Sequence, residues 1–287
     1  MSYIVFAWLA SISYALGGVV GKIATKYHIK NPWLYGFVWA ILTFVFIIPF
    51  ALLGKVGLPQ DWPSMIWLGV VGAVSAVTFT FAFYAVDLSI LSPLANMRSL
   101  FTAFLGVLFF QEYLSPVKWA LIFLLCVAGL FIHLDEKMNL KSFFSKSTAI
   151  VFTWIITSVW YSAMIKYASA GNGFWEVSFW SNLLTVVFLL PTLPLFIKDA
   201  QKTALKSYSG IALTTILWTI GFLFLVKALA ENISITSAIM SVPLSMLFVM
   251  ILAIVSPKLL EKHTPKVYFI RTIAAVVMFV AALGLSG

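Results

Sequence analysis

Charge is scarce in this chain. Only 9% of its 287 residues are Asp, Glu, Lys or Arg, and 62% are hydrophobic, whereas a soluble domain carries about 25% charged residues. No soluble core could use so much apolar surface. Acidic residues are scarcest, 9 against 18 basic ones. None falls in the middle of a long apolar run, since Asp87, Glu112, Glu176, Glu231 and Glu261 all lie at run ends or between runs. Proton-coupled export of cationic drugs usually needs a buried carboxylate, so cation antiport is disfavoured. The same scarcity argues against a membrane-embedded enzyme of lipid or prenyl chemistry, which would show clustered acids or histidines. His28, His133 and His263 are scattered, and no metal site is expected. Cys126 is the single cysteine and permits neither an internal disulfide nor a cysteine metal cluster. No cofactor is implied.

Long apolar runs are what the chain has. Ten stretches of about 16 to 23 residues, the length an α-helix needs to cross hydrocarbon, are nearly free of charge. They are Tyr3 to Gly21, Leu34 to Leu53, Met65 to Val86, Ile90 to Phe110, Trp119 to Leu134, Ala149 to Ile165, Val177 to Ile197, Ile211 to Val226, Ile233 to Val255, and Val267 to Leu285. The expected fold is therefore an all-α polytopic membrane protein with ten transmembrane helices. The gaps are too short for an extramembrane domain, so any chemistry sits within or at the edge of the bundle. The first run has no basic n-region or small-residue cleavage site, and is expected to stay as a helix. No lipid anchor is expected from this sequence. The net charge of +9 would suggest nucleic acid in a soluble chain. Here the lysines sit beside the runs, where they set orientation and meet anionic headgroups, so the partner is the lipid bilayer and no nucleic acid is expected.

The chain also repeats weakly. Ser89-Ile90-Leu91-Ser92 opens the fourth run and Ser234-Ile235-Thr236-Ser237 the ninth, 145 positions on. Glu112 and Pro116 follow the fourth run as Glu261 and Pro265 follow the ninth, and Lys22 closes the first run as Lys166 closes the sixth. This divides the chain into residues 1–146 and 147–287, five helices each. Five is odd, so the second block should enter the membrane upside down. The lysines agree. Lys22, Lys26, Lys30, Lys137, Lys141, Lys146, Lys198, Lys202, Lys206, Lys258, Lys262 and Lys266 lie on one side, and only Lys55, Lys118, Lys166 and Lys227 on the other. The rich side is expected in the cytoplasm, with both termini outside. Two inverted five-helix repeats are how many secondary transporters build alternating faces around a midplane site.

With ten helices, five plus five, and the string Leu88-Ser89-Ile90-Leu91-Ser92-Pro93 through Phe109-Phe110-Gln111-Glu112-Tyr113-Leu114-Ser115-Pro116, the chain resembles the drug/metabolite transporter (DMT) superfamily, EamA type. The resemblance implies a small-residue helix in each half ending in Glu then Pro, and transport of metabolites or drugs. Two features depart from the family: Arg98 stands where the second half has Pro243, and the charge bias puts the termini on the side opposite to most relatives.

Arg98 is the sharpest candidate for chemistry. It lies about eight residues into the fourth run, roughly 12 Å at 1.5 Å per residue, too deep to snorkel easily. Its fork suits a substrate carboxylate or phosphate. The alternatives are that Asn96, Asp87 or backbone carbonyls satisfy it, or that the helix starts later and leaves it near the interface. In the resembled fold, the helices holding Tyr14, Tyr84, Trp160, Tyr161 and Trp218 line the central cavity, where a ring could stack on a substrate or close over it. Packing or lipid contact is the plainer role for each. Asn96, Ser241 and Thr236 are further polar candidates, and Lys22, Lys166 and Lys227 sit at helix ends as snorkelling or gating residues. Gly17, Gly18 and Gly21 permit close helix approach or a bend.

The expected function is secondary-type transport, as an exporter or exchanger, of a small polar organic metabolite. Amino acids or other carboxylate-bearing solutes are favoured. A multidrug or quaternary-amine carrier is the alternative within the class, and a membrane-embedded enzyme or non-transporting scaffold is the alternative outside it. The plasma membrane is the expected location, with a monomer and a homodimer both open.

Overall fold

The computed structural model describes residues 2–27, 29–86, 91, 94–133, 145–245, 247–248, 251 and 265–286, and every regular element among them is helical. Asp87, Ser89, Pro93, Glu261 and His263 lie outside the described residues. The first block holds α1 (Tyr3–Tyr27), α2 (Pro32–Leu53), α3 (Trp62–Ala85), α4 (Met97–Phe110) and α5 (Pro116–His133). The second holds α6 (Lys146–Gly171), α7 (Phe174–Leu189), a short α8 (Ile197–Lys202), α9 (Ser209–Glu231), α10 (Ile233–Met240) and α11 (Pro265–Ser286). Among the described residues six helices are long and apolar enough to cross a membrane, and three shorter apolar helices accompany them.

The helices begin where side chains can satisfy their first N–H groups, an obligation that lipid makes strict. Asn31 Oδ1 accepts from Trp33 N at 2.9 Å ahead of Pro32, Asp61 Oδ1 accepts from Ser64 N at 3.3 Å, and Ser145 Oγ accepts from Thr148 N at 3.1 Å. Each cap coincides with the polar edge of an apolar run, which is why the sequence locates these starts well.

Three runs end or break earlier than their apolar length suggests. α7 stops at Leu189 and passes through a 3-10 segment, Leu190–Leu195, carrying Pro191 and Pro194, because neither proline can donate the N–H that an α-helix requires. α10 stops at Met240, followed by a turn at Ser241 and Val242 before Pro243. A residue ahead of proline is pushed out of helical geometry, so this stop is local chemistry. In the fourth run, Ala95 and Asn96 form a turn and α4 starts only at Met97. No proline within the described residues of that run explains this break.

The main packing joins the two blocks. α1 lies chiefly against α9, α3 against α6 and α7, α2 against α7, α4 against α10, and α5 against α11. Small residues bring these helices close. A Cβ on Gly17 would run into the Trp218 ring, and one on Gly36 would lie 2.8 Å from Thr80 Oγ1. In lipid, such backbone approach and short polar bonds stand in for the missing hydrophobic drive between helices.

At one end of the bundle a loop clasp ties the blocks. Asn172 Oδ1 accepts from Gln60 N at 2.9 Å and Asp61 N at 3.1 Å, and its Nδ2 donates to Ala168 O at 2.9 Å and Ser64 Oγ at 3.3 Å. Asn172→Ala orphans two backbone donors at once. It is expected to lower stability by about 2 kcal/mol, seen as a fall in detergent melting temperature. Asn172→Asp keeps the acceptor but sets a carboxylate oxygen against the Ala168 carbonyl, so it should recover only part of the loss.

Candidate functional site

Where the broken fourth run meets α1, α2, α3, α6, α7, α9 and α10, the packing leaves a cavity of about 260 Å³. Its two ends of interrupted helix are the turn at Ala95, just ahead of α4, and the turn at Ser241 and Val242, just after α10. Interrupted helices at membrane depth are tolerated where they line a cavity, and their free backbone groups are available to a solute there.

Arg98 sits in the first turn of α4 and faces this cavity. Its Nη2 donates to Ser162 Oγ at 3.1 Å, while its Nε is buried with no partner among the described residues. Ser162 in turn donates to Ser158 O at 3.0 Å, one turn back on α6. Thr102 Oγ1 donates to the Arg98 carbonyl at 2.8 Å. Among the described residues that line the cavity there is no Asp or Glu, and Arg98 is the only charged one. Two further buried donors there, Trp39 Nε1 and Ser237 Oγ, also lack partners among the described residues.

The same cavity has an aromatic wall. Trp218 of α9 packs edge-on to Trp39 at 5.0 Å, Phe79 at 5.4 Å and Phe83 at 5.9 Å, and Phe79 meets Trp154 at 5.2 Å. Trp218 Nε1 donates to the Tyr14 carbonyl at 3.1 Å, and the two rings lie 6.4 Å apart. Hydroxyls from Ser75, Ser158, Thr185 and Ser241, with the Asn182 amide, complete a mixed lining.

Of the eight residues singled out from the sequence, Arg98, Tyr14, Tyr161, Trp218 and Ser241 come together around this cavity. Asn96, Tyr84 and Trp160 do not line it. Asn96 is fully buried on the far side of the α4 start, where its Nδ2 approaches Met278 Sδ at 3.4 Å. The Tyr84 hydroxyl donates to Ile29 O at 2.7 Å, at one end of the bundle. Trp160 is 50% exposed on the outer face of α6, the lipid-contact position. Thr236 is buried too, donating to Ala228 O at 3.1 Å. Arg98 does not take Asn96 as its side-chain partner, and Asp87 lies outside the described residues. Ser162, the partner it does take, went unnoticed in the sequence, although Ser158 and Ser162 at a four-residue spacing form one polar stripe on an apolar helix. Trp39 and Ser237 carry no comparable signal, because serines and tryptophans are common in such runs.

The family model of EamA-like transporters matches residues 1–134. Over that stretch, somewhat under half of its length, the chain is similar to the EamA-like transporter family. That family lies within the drug/metabolite transporter superfamily, and the long apolar helices fit an integral membrane protein. No curated protein matches the chain. Among 28 matching solved chains, one described only as "Crystal structure of protein" aligns over 99% of this chain and 96% of its own, with a TM-score of 0.69 and 13% identity. At that identity the likeness speaks to the fold alone, and it extends over both blocks of this chain.

Proposed function

We propose that this EamA-like protein is a secondary transporter of the cell membrane. It carries small carboxylate-bearing organic solutes by alternating access of two inverted halves, residues 1–146 and 147–287, with the lysine-rich loops in the cytoplasm. The observation that carries the substrate class is Arg98, whose guanidinium has one serine partner, a buried Nε without one, and no carboxylate among the described residues that line its cavity. A charge at membrane depth costs about 3 kcal/mol even on the lenient insertion scale, so an arginine retained there with a free N–H has an anion to meet.

The aromatic wall invites the competing reading of a quaternary-amine carrier. Cation–π contact is worth about 0.5–2 kcal/mol. A cation within roughly 6 Å of Arg98 would meet about 3 kcal/mol of repulsion at an effective dielectric near 20, so the guanidinium decides the sign. An amino acid fits if its ammonium points away from Arg98 toward the hydroxyls that line the cavity.

The inverted halves are supported by the packing itself. Exchanging the five long helices of one block for those of the other turns the α1 with α9 contact into α6 with α3, and α3 with α7 into α9 with α2, while α2 with α7, α4 with α10 and α5 with α11 map onto themselves. Lys22 Nζ donates to Val86 O at 2.7 Å, and Lys166 Nζ donates to Glu231 O at 2.8 Å, with acceptors 145 positions apart.

The test is a melting screen of the detergent-solubilised protein over amino acids, other organic acids, sugar phosphates, nucleotides and amines, followed by liposome uptake of each stabilising compound. Acidic solutes are expected to raise the melting temperature and to be taken up. Stabilisation by quaternary amines alone, unchanged in Arg98→Ala, would reverse the assignment.

A further inference from the structure

Glu112 lies just past α4, after Gln111 has turned the chain with a positive φ of 52°. Its Oε1 accepts from Ile233 N at 2.8 Å and from Lys166 Nζ at 2.7 Å. Its Oε2 accepts from Ser234 N at 3.0 Å and from Ser234 Oγ at 2.6 Å. A carboxylate from the first block thus caps the N-terminus of α10 in the second, where the helix dipole favours negative charge. α10 already has a cap of its own, since Asn232 Oδ1 accepts from Ile235 N at 2.8 Å. The Glu112 contact is therefore an additional bond across the joint.

Lys166 spans the same joint, donating also to the Glu231 carbonyl at 2.8 Å. Gly106 lets the pieces meet, because a Cβ there would press on Ser234 Oγ and lie 2.7 Å from Glu112 Oε2. Both elements held by Glu112 lead to the cavity. Three residues beyond Ser234 on α10 is Ser237, and four residues before Lys166 on α6 is Ser162, which holds Arg98.

We propose that Glu112 is a positioning residue: through Ser234 and Lys166 it latches the two halves together at this end of the bundle, and the latch breaks each time the cavity opens toward that end. This rests on the alternating-access reading above. The pair suits such a role, with the Glu112 side chain 5% and Lys166 16% exposed. While dry, the carboxylate holds four donors at once, and once the end opens, water hydrates both charges and replaces those bonds, so separation does not strand a buried ion.

The test needs no substrate. In a Cys126→Ala background, a single reporter, Ala15→Cys, is placed on the cavity wall, and its reaction with a membrane-impermeant thiol reagent is followed from each face of oriented proteoliposomes. Glu112→Gln keeps the shape and removes the charge, and is expected to raise labelling from the latch end about tenfold relative to the opposite end. Gly106→Ala, which forces Ser234 and Glu112 apart with no change of charge, should shift the ratio the same way. Asn232→Ala weakens the α10 cap within its own half, and should lower the melting temperature while leaving the ratio alone. If Glu112→Gln and Gly106→Ala lower the melting temperature as Asn232→Ala does but leave the labelling ratio unchanged, the network is a structural cap and the latch is refuted. If the reporter in the parent protein reacts freely from both faces at once, alternating access itself fails, a result distinct from failure of the latch.

Discussion

Arg98→Ala is expected to abolish the melting shift that an acidic solute gives and to stop its uptake into liposomes, with expression near that of the parent. The side chain makes one hydrogen bond, to Ser162, and no ion pair among the described residues, so folding loses little with it. Removing a charge from membrane depth can even raise stability. Binding loses much more. A hydrogen bond to a charged group is worth about 1.5–3 kcal/mol, or roughly 10- to 150-fold in affinity, and a bidentate contact sits at the upper end. Arg98→Lys keeps the charge without the planar fork and should retain part of the affinity. The measurement is a solute titration of melting temperature for both variants beside liposome flux. Undiminished binding of an acidic solute by Arg98→Ala would end the anion-site assignment.

Trp218→Ala should show the opposite pattern, with stability falling sharply while preference for anionic solutes survives. The ring is 3% exposed, sits against Gly17, and makes edge contacts with Trp39, Phe79 and Phe83 at 5.0, 5.4 and 5.9 Å. Truncating a buried tryptophan costs about 3–5 kcal/mol. The lower end applies here, because water from the adjoining cavity can enter the space left behind. Trp218→Phe keeps most of the packing and loses the bond from Nε1 to the Tyr14 carbonyl, so about 1 kcal/mol is expected. Detergent melting of the two variants against the parent checks both figures. A Trp218→Ala protein that melts with the parent would remove this ring from the account of how α1, α2, α3 and α9 are held.

The two substitutions separate the two parts of the cavity. Arg98 acts on the solute and barely on the fold, and Trp218 acts on the fold and only indirectly on the solute. Glu112 belongs to neither, since its bonds lie at the far end of α4 from Arg98. At 1.5 Å per residue the two are about 20 Å apart along the helix.

Much of this protein was decided by composition alone. Apolar runs without charge can only be stable as helices in lipid, because lipid offers backbone groups no other partner, and the helix starts at Asn31, Asp61 and Ser145 follow from side chains that satisfy the first N–H groups. Arg98 was legible too, since a lone arginine in an apolar run is costly enough to demand a reason. The early stop of α10 was written in Pro243. What only the tertiary structure decided is which residues meet. The choice of Ser162 over Asn96 as the partner of Arg98 is not marked by a local rule. Tyr84 and Trp160 look as suitable as Tyr161 and Trp218 in the sequence, yet only the latter pair faces the cavity. In a helix apolar on every side, periodicity does not say which face turns inward. The interlocking of the two blocks decides it, through small residues such as Gly17 and Gly106 whose partners lie more than a hundred positions away along the chain.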